Sequence, residues 1–264
     1  AGGFIGGWLA ETLYLDDAAD VRAGIRAWTS AARLSRFPID VVLCDVLDPD
    51  QIAEAIRGAT HVVHCAYGTE EVTVEGTRNM AEAALREGVE HFVHISSAAI
   101  YGDAAGKIDE SQPLEPTGSE YGDMKLAAEN VAWDYYDQGL PLTVIRPSIV
   151  YGPFSRTWTV EMAAKLQSGN WAVFDGFGEG WCNLVYVSDR RAWLGGLHPV
   201  LAPLGVGAWW IDRLRRHGPG SRGASLAGWL SGELTPTRID SLPLHEGVTA
   251  TRTSVLPFAR GRTP

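Results

Sequence analysis

Residues 39–66 read IDVVLCDVLDPDQIAEAIRGATHVVHCA. The two apolar runs, IDVVLCD and THVVHCA, predict buried strands. Between them the apolar residues recur at helical spacing, with Asp48 as the N-cap, Pro49 at the first helical position and Gly58 after the last turn. Because the strand runs are continuously apolar rather than alternating, they favour a parallel sheet covered on both faces.

The same alternation extends on both sides of this unit, from residue 4 to residue 189. Predicted helices lie at residues 4–15, 70–88 and 119–139, and predicted strands at residues 19–27, 90–97 and 140–148. Gly88 and Gly139 follow the second and third of these helices, as helix-ending glycines do. The pattern predicts an α/β fold with a Rossmann-like, doubly wound parallel sheet and a small, incomplete substrate lobe.

Composition restricts the class of protein. The chain has 264 residues, of which 45% are hydrophobic, and a formal net charge of −10. An acidic surface argues against nucleic-acid binding, and no apolar run reaches the roughly 18 residues of a membrane span. Cys44, Cys65 and Cys182 lie in or beside apolar runs, where reduced, buried thiols are expected. We therefore expect a cytoplasmic protein.

A change in composition near residue 189 divides the chain. Residues 190–264 contain ten Arg, no Lys and seven of the 14 prolines. This segment is either a disordered extension or the product of a shifted reading frame, and its composition favours the second interpretation. The predicted domains are residues 1–146 for dinucleotide binding, 147–189 for part of a substrate lobe and 190–264 for the atypical tail.

The first nine residues, AGGFIGGWL, place glycines directly before a predicted helix. Small residues there let the backbone approach a pyrophosphate, whose charge the helix N-terminus favours. The strand that would precede this turn is absent from the sequence. At the end of the next strand stands Arg26, with Arg33 nearby, rather than a carboxylate. Arg26 is either an ordinary solvated side chain or, with the help of Arg33, a partner for a 2′-phosphate, which would favour NADP over NAD.

The stretch EYGDMKLAAE, residues 120–129, places Tyr121 and Lys125 on one face of a predicted helix. An ammonium beside a phenol stabilises the phenolate, so Tyr121 is a candidate general acid and base. Ser97 ends a predicted strand 24 residues earlier, where strand ends face the ligand crevice of such sheets. Its hydroxyl is a candidate to bind the same substrate oxygen.

Several motifs together resemble the extended short-chain dehydrogenase/reductases, the NAD(P)-dependent epimerase/dehydratase family. AGGFIGGWL, VVHCA, VEGTRNMAEAA, HFVHISSAAIYGD, YGDMKLAAE and VIRPSIVYGP occur in the order and spacing of that family. The resemblance implies that Ser97, Tyr121 and Lys125 are catalytic, and that Lys125 also binds the nicotinamide ribose. It implies an NAD(P) site formed by Gly3, Phe4, Ile5, Gly6, Arg26, Asp45, Val46, Ala66, Tyr121, Lys125 and Pro147.

The sequence departs from the family pattern in three segments. Ala98 and Ala99 stand where the 4,6-dehydratases carry Asp-Glu, so that dehydration lacks its acid and base. Trp181-Cys182 stands where epimerases often place an arginine for a nucleotide diphosphate, which puts a nucleotide-sugar substrate in doubt. Thr73 replaces a usual asparagine.

These observations predict an oxidoreductase that moves hydride between nicotinamide and a carbinol or carbonyl carbon of a small-molecule substrate. Sugar-type epimerisation and alcohol/ketone oxidoreduction both stay open. The alternatives are a non-catalytic NAD(P)-binding relative and an inactive, truncated gene product. No metal site is expected, because histidine pairs three residues apart in strands point to opposite faces. A homodimer stays open as the oligomeric state.

Overall fold

The computed structural model describes residues 1–16, 18–104, 108, 110–169 and 183–188. The chain divides into two compact units, and the boundary falls between Pro147 and Ser148. The predictions for Trp181-Cys182 and for residues 190–264 lie outside the described residues.

The first unit alternates strands and helices. In chain order its elements are α1 (Phe4–Leu15), β1 (Arg22–Ile25), β2 (Asp40–Leu43), α2 (Pro49–Ile56), β3 (His61–His64), α3 (Gly76–Glu87), β4 (His91–Ile95), α4 (Glu120–Asp137) and β5 (Leu142–Ile145). Each lies within a segment that the hydrophobic pattern predicts for it. The α/β alternation predicted from the sequence is confirmed.

All strand pairs described in this unit are parallel. β1 pairs with β2, with Arg22 opposite Asp40, and β4 lies between β3 and β5, with His64 opposite His94 and Phe92 opposite Leu142. Parallel neighbours require a crossover, and α2, α3 and α4 lie in the connections between successive strands. This is the Rossmann-like architecture that the sequence predicts.

The described part of the second unit contains β6 (Ile149–Tyr151), a π-helical segment (Arg156–Glu161), α5 (Met162–Gln167) and β7 (Leu184–Tyr186). β6 and β7 are parallel, and the rings of Tyr151 and Tyr186 meet edge to face, with centroids 5.2 Å apart.

Helix α2 shows how local sequence sets the boundaries of an element. The Asp48 carboxylate accepts hydrogen bonds from the backbone N–H groups of Asp50 and Gln51, and Pro49 occupies the first turn, where its missing N–H costs nothing. Gly58 follows the helix with φ of +68°, a conformation that glycine adopts without strain. The predicted start and end of this helix are confirmed.

The interior of the first unit is built from strand and helix side chains together. Phe92 and Val93 of β4 are fully buried, and Ile52, Ile56, Met80 and Ala84 pack from α2 and α3 in one cluster with Phe92. A smaller cluster joins Ala10 of α1 to β1 and to Leu34. Helix side chains therefore pack against strands of both sheets of this unit, the two-stranded β1–β2 and the three-stranded β3–β4–β5.

Two local predictions differ from the structure. The segment IDVVLCD is predicted to be buried, yet Leu43 is exposed and Val41 and Val42 are only partly covered. Among the described strands β2 pairs with β1 alone, so its outer edge lacks a covering neighbour. The helix predicted to begin at residue 70 starts with a π-helical turn, Glu71–Glu75, before α3.

Candidate functional site

The predicted site residues follow the carboxyl ends of the parallel strands. Each strand of the first unit is succeeded by at least one of them: Arg26 after β1, Asp45 and Val46 after β2, Ala66 after β3, Ser97 after β4 and Pro147 after β5. In open α/β sheets this edge forms the ligand crevice. The topology therefore places each of these residues just after the carboxyl end of a parallel strand.

The glycine-rich turn lies at the N-terminus of α1. Gly3 is the N-cap, no side chain caps the helix, and its first turn carries no acidic residue. A Cβ at Gly3 would meet no atom within 4 Å, whereas one at Gly2 would collide with the Ser30 side chain. The first N–H groups of a helix, here those following Gly3 at Phe4, Ile5 and Gly6, have no intrahelical acceptor. This open, uncapped end fits a pyrophosphate.

The two arginines considered for a 2′-phosphate have different surroundings. Arg26 is exposed directly after β1. Arg33 donates to the Glu11 carboxylate at 2.6 Å and lies 4.2 Å above the Trp8 ring. Because Arg33 is engaged by the protein's own carboxylate, its expected role as a helper of Arg26 is not supported.

Asp45 and Val46 form a fixed turn after β2. The Asp45 carboxylate accepts the Leu47 N–H at 3.0 Å, and the Asn79 side-chain amide donates to the Val46 carbonyl at 3.0 Å. Gly76 leaves no room for a Cβ against the Val46 side chain. Helix α3 therefore holds this turn in place.

The start of α4 is held against the segment that follows β4. Ser119 caps the helix by accepting the Gly122 N–H, and Asp123 accepts from the backbone and hydroxyl of Thr117. A Cβ on Gly122 would lie 3.0 Å from the Ala99 carbonyl oxygen, so glycine permits this close approach. Tyr121 is thereby brought to the segment that contains Ser97.

Lys125 is buried and tied to the end of β4. Its side chain is 5% exposed, and its ammonium donates to the Ile95 carbonyl at 2.9 Å. Burial lowers the pKa of Lys125. Tyr121, one turn earlier on the same helix face, is 39% exposed. A buried cation one helical turn from an accessible phenol is an arrangement suited to proton transfer.

Ser97 is held by backbone atoms on both sides. Its Oγ accepts the Ala99 N–H at 3.1 Å, and the next residue, Ala98, donates its N–H to the Pro147 carbonyl at 2.9 Å. Accepting one hydrogen bond leaves the hydroxyl proton available for a second partner. The Ala98 and Ala99 side chains are methyl groups, so neither can transfer a proton.

An acidic residue that the motif analysis did not single out anchors the middle of α4. Glu129 is fully buried and receives the Arg146 guanidinium through Nε and Nη2, together with the Trp133 indole N–H. Arg146 also donates to the Tyr101 hydroxyl at 2.6 Å, and these hydrogen bonds raise the pKa of Arg146. This network joins α4 to the end of β5 and to the segment after Ser97.

Tyr67 is the second residue that sequence reasoning missed. It follows Ala66 after β3, and its ring lies next to both Tyr121 and Lys125. The rule that ligand sites gather at strand ends could have singled it out, because it stands directly after a residue already assigned to the site.

The histidines of β3 and β4 include a buried pair. The rings of His64 and His94 stack with centroids 5.8 Å apart, and His64 contacts the Thr77 hydroxyl at 3.1 Å. Within the described residues both ring nitrogens of His94 lack a hydrogen-bond partner, and no group of His, Cys, Asp or Glu side chains there could hold a metal ion. Burial, followed by the Lys125 charge, lowers the pKa of His94 to about 3.

The lowered pKa of His94 predicts that the folded chain loses stability in acid. The unfolded chain takes up a proton at His94 near pH 6.5, whereas the folded chain resists protonation until about pH 3. Stability from His94 is therefore present above pH 6.5 and is lost as the pH falls toward 3. We expect His94→Leu to reduce the slope of unfolding free energy against pH by about 1.4 kcal/mol per unit between pH 6 and 5. Urea unfolding at both pH values measures it, and equal slopes in the two proteins would contradict the assignment.

Comparisons with known proteins show the family of the chain. The sequence model described as the NAD dependent epimerase/dehydratase family matches residues 1–190. A 4-epimerase acting on N-acetyl-α-D-glucosaminyl-diphospho-ditrans,octacis-undecaprenol from Escherichia coli O157:H7 is 28% identical over 166 residues, 58% of this chain and 50% of the relative. A putative dihydroflavonol 4-reductase from Synechocystis is 32% identical over 58% of this chain and 48% of the relative.

A solved structure extends the likeness to the fold. DesIV, a dTDP-glucose 4,6-dehydratase from Streptomyces venezuelae crystallised with NAD bound, superposes with a TM-score of 0.63 at 27% identity. The match covers 74% of this chain and 70% of DesIV. The chain spans about half the length of the two curated relatives above. In the part of the chain that the structure describes, no helix combines the length and apolarity needed to cross a membrane.

Proposed function

The chain belongs to the NAD-dependent epimerase/dehydratase family, and from this membership we propose that it moves hydride between nicotinamide and a carbinol or carbonyl carbon of a small-molecule substrate. When bound, the dinucleotide supplies the acceptor and donor of hydride. The observation that carries the proposal is the placement of Tyr121 and Lys125 on one helix face, with the Lys125 ammonium anchored on the Ile95 carbonyl.

Each polar group has a defined task. Tyr121 takes the hydroxyl proton from the substrate during oxidation and returns it during reduction, because its accessible phenol is the group that a substrate oxygen can reach. The Lys125 ammonium stabilises the phenolate that forms and binds the nicotinamide ribose. Ser97 donates its hydroxyl proton to the same substrate oxygen, which fixes the direction from which the substrate approaches.

The loop after β4 favours reactions that need no further acid or base. Dehydration requires a second acid–base pair, and Ala98 and Ala99 carry only methyl groups at the positions that the 4,6-dehydratases use. Epimerisation and alcohol/ketone oxidoreduction require only the hydride and one proton shuttle. We therefore assign the chain to these two reactions rather than to the dehydration that DesIV is named for.

The dinucleotide would be held by the turn and the strand ends. The N–H groups after Gly3 would bind the pyrophosphate, Asp45 and Val46 would contact the adenine, and Ala66 and Pro147 would line the path toward the nicotinamide. Lys125 would bind the nicotinamide ribose. DesIV binds NAD, whereas the exposed Arg26 in this chain favours NADP.

Arg26 gives a direct test of that preference. A guanidinium paired with a 2′-phosphate is a charged hydrogen bond, so we expect Arg26→Ser to weaken NADPH binding about tenfold and to leave NADH binding nearly unchanged. Nicotinamide fluorescence measures both affinities. Arg57→Ser, which removes an exposed arginine paired with Glu54 at the end of α2, is the control. An equal loss for both dinucleotides, or no loss, would count against Arg26.

The proposed reaction is tested in two steps. The chain is first titrated with NADH and NADPH, and binding of at least one is expected. UDP-glucose and dTDP-glucose are then supplied with oxidised dinucleotide, and products are separated by chromatography. Net accumulation of reduced dinucleotide indicates oxidoreduction, whereas a new sugar epimer without accumulation indicates epimerisation. Binding without turnover of any alcohol or ketone would favour a non-catalytic relative, and absence of binding would contradict the proposal.

A further inference from the structure

One aromatic ring lies against both members of the Tyr121–Lys125 pair. The Lys125 Nζ is 5.6 Å from the centroid of the Tyr67 ring, within the range of a cation–π interaction. The Tyr121 and Tyr67 centroids are 5.4 Å apart, with the ring planes at 80°. That is the edge-to-face geometry that aromatic pairs prefer.

The Tyr67 ring gives the buried Lys125 ammonium a second favourable contact. An ammonium group has three N–H donors, and within the described residues Lys125 has one hydrogen-bond acceptor, the Ile95 carbonyl. The Tyr67 ring presents its electron-rich face to the same cation. It also shields the cation, because Tyr67 is 56% exposed while Lys125 beneath it is only 5% exposed.

The backbone around Tyr67 is fixed by a buried threonine. Thr73 is fully buried, and its Oγ1 accepts the Gly68 N–H at 3.2 Å and donates to the Gly68 carbonyl at 3.5 Å. A Cβ on Gly68 would come within 3.1 Å of Val72, so the segment packs tightly on the π-helical turn. The backbone next to Tyr67 is therefore held by Thr73 and Val72, and this fixes where the Tyr67 ring begins.

We propose that Tyr67 is a positioning residue, whose ring holds the Lys125 ammonium and the Tyr121 phenol in the relative arrangement that proton transfer requires. The inference rests on the proposed function for its catalytic consequence, but the contact itself is independent of any substrate. Nothing in the motif that carries Tyr121 and Lys125 implies this third residue, because it comes from the end of a different strand.

The lysine content of the chain makes the contact directly observable. The sequence has three lysines, Lys107, Lys125 and Lys165. In the full chain labelled with ¹³C-lysine, Lys125→Arg identifies the Lys125 ε-CH₂ signal by its loss. A ring facing the ammonium shifts that signal upfield. We expect the shift to persist in Tyr67→Phe, which keeps the ring, and to disappear in Tyr67→Leu, which keeps an apolar cover without a ring.

Turnover provides the second measurement. With whichever of UDP-glucose and dTDP-glucose is turned over, Tyr67→Leu should lower kcat about tenfold with little change in KM, and Tyr67→Phe should recover most of that loss. Tyr136→Leu, which removes an exposed tyrosine from α4, controls for the loss of an exposed aromatic side chain.

The outcomes separate the two proposals. An unchanged Lys125 signal in Tyr67→Leu overturns the contact, and a lost signal with unchanged kcat overturns the positioning role. If the wild-type chain turns over neither sugar nor any other alcohol or ketone, the proposed function fails and the catalytic role of Tyr67 fails with it. The Lys125 signal then still decides whether the ring holds the ammonium.

Discussion

Tyr121→Phe should lower turnover by about 10²- to 10⁴-fold while leaving the affinity for NADH and NADPH nearly unchanged. The substitution removes one oxygen atom and keeps the ring that contacts Tyr67, so the shape of the site is preserved. What is lost is the hydroxyl group that we propose exchanges a proton with the substrate oxygen. Steady-state turnover together with nicotinamide fluorescence measures both quantities in the same protein.

The separation of the two effects makes this test specific. Tyr136→Phe, on the exposed face of the same helix, is the matched control and should retain both turnover and binding. If Tyr121→Phe loses dinucleotide binding as severely as turnover, Tyr121 supports the binding site instead of transferring a proton. If turnover survives intact, another group carries the proton.

The second large effect concerns the interior of α4. Glu129→Gln replaces a fully buried carboxylate by an amide and leaves the Arg146 guanidinium without its counter-charge. Removing one member of a buried ion pair costs about 3–5 kcal/mol, because the remaining charge is desolvated and uncompensated. We expect the free energy of unfolding in urea to fall by about that amount.

An exposed pair in the same unit supplies the comparison. Glu54 and Arg57 lie three residues apart at the end of α2, and both side chains are mostly exposed. Glu54→Gln should change the free energy of unfolding by less than about 1 kcal/mol, since water screens surface pairs. Equal losses of unfolding free energy in the two variants would show that the contribution of Glu129 to stability does not come from its burial.

Much of the fold could be predicted from the sequence, because its helices and strands are specified by short-range patterns. Asp48, Pro49 and Gly58 determine the boundaries of α2 within eleven residues, and Gly88 ends α3 in the left-handed conformation. The exposure of Leu43 could not be predicted in the same way. The exposure of Leu43 depends on which strands lie beside β2. The apolar run in the sequence does not specify those neighbouring strands.

The site residues likewise include some that follow from local sequence spacing and others that depend on tertiary packing. Tyr121 and Lys125 are one helical turn apart, so their shared face follows from spacing alone. The Glu129–Arg146 pair and the Tyr67 ring depend on α4 packing beside the ends of β5 and β3, which no local pattern encodes. Arg33 shows the opposite case: the sequence placed it near a phosphate site, and Glu11 of α1 engages it instead.

The groups around the site are anchored largely on main-chain atoms. Lys125 binds the Ile95 carbonyl, the Ser97 oxygen accepts the Ala99 N–H, and the Ala98 N–H binds the Pro147 carbonyl. Main-chain hydrogen-bonding groups remain when the side chain of their residue is replaced. Substitutions at positions 98 and 99 can therefore change the chemistry that would follow the proposed hydride transfer, while the backbone contacts that hold Ser97 and Lys125 stay in place.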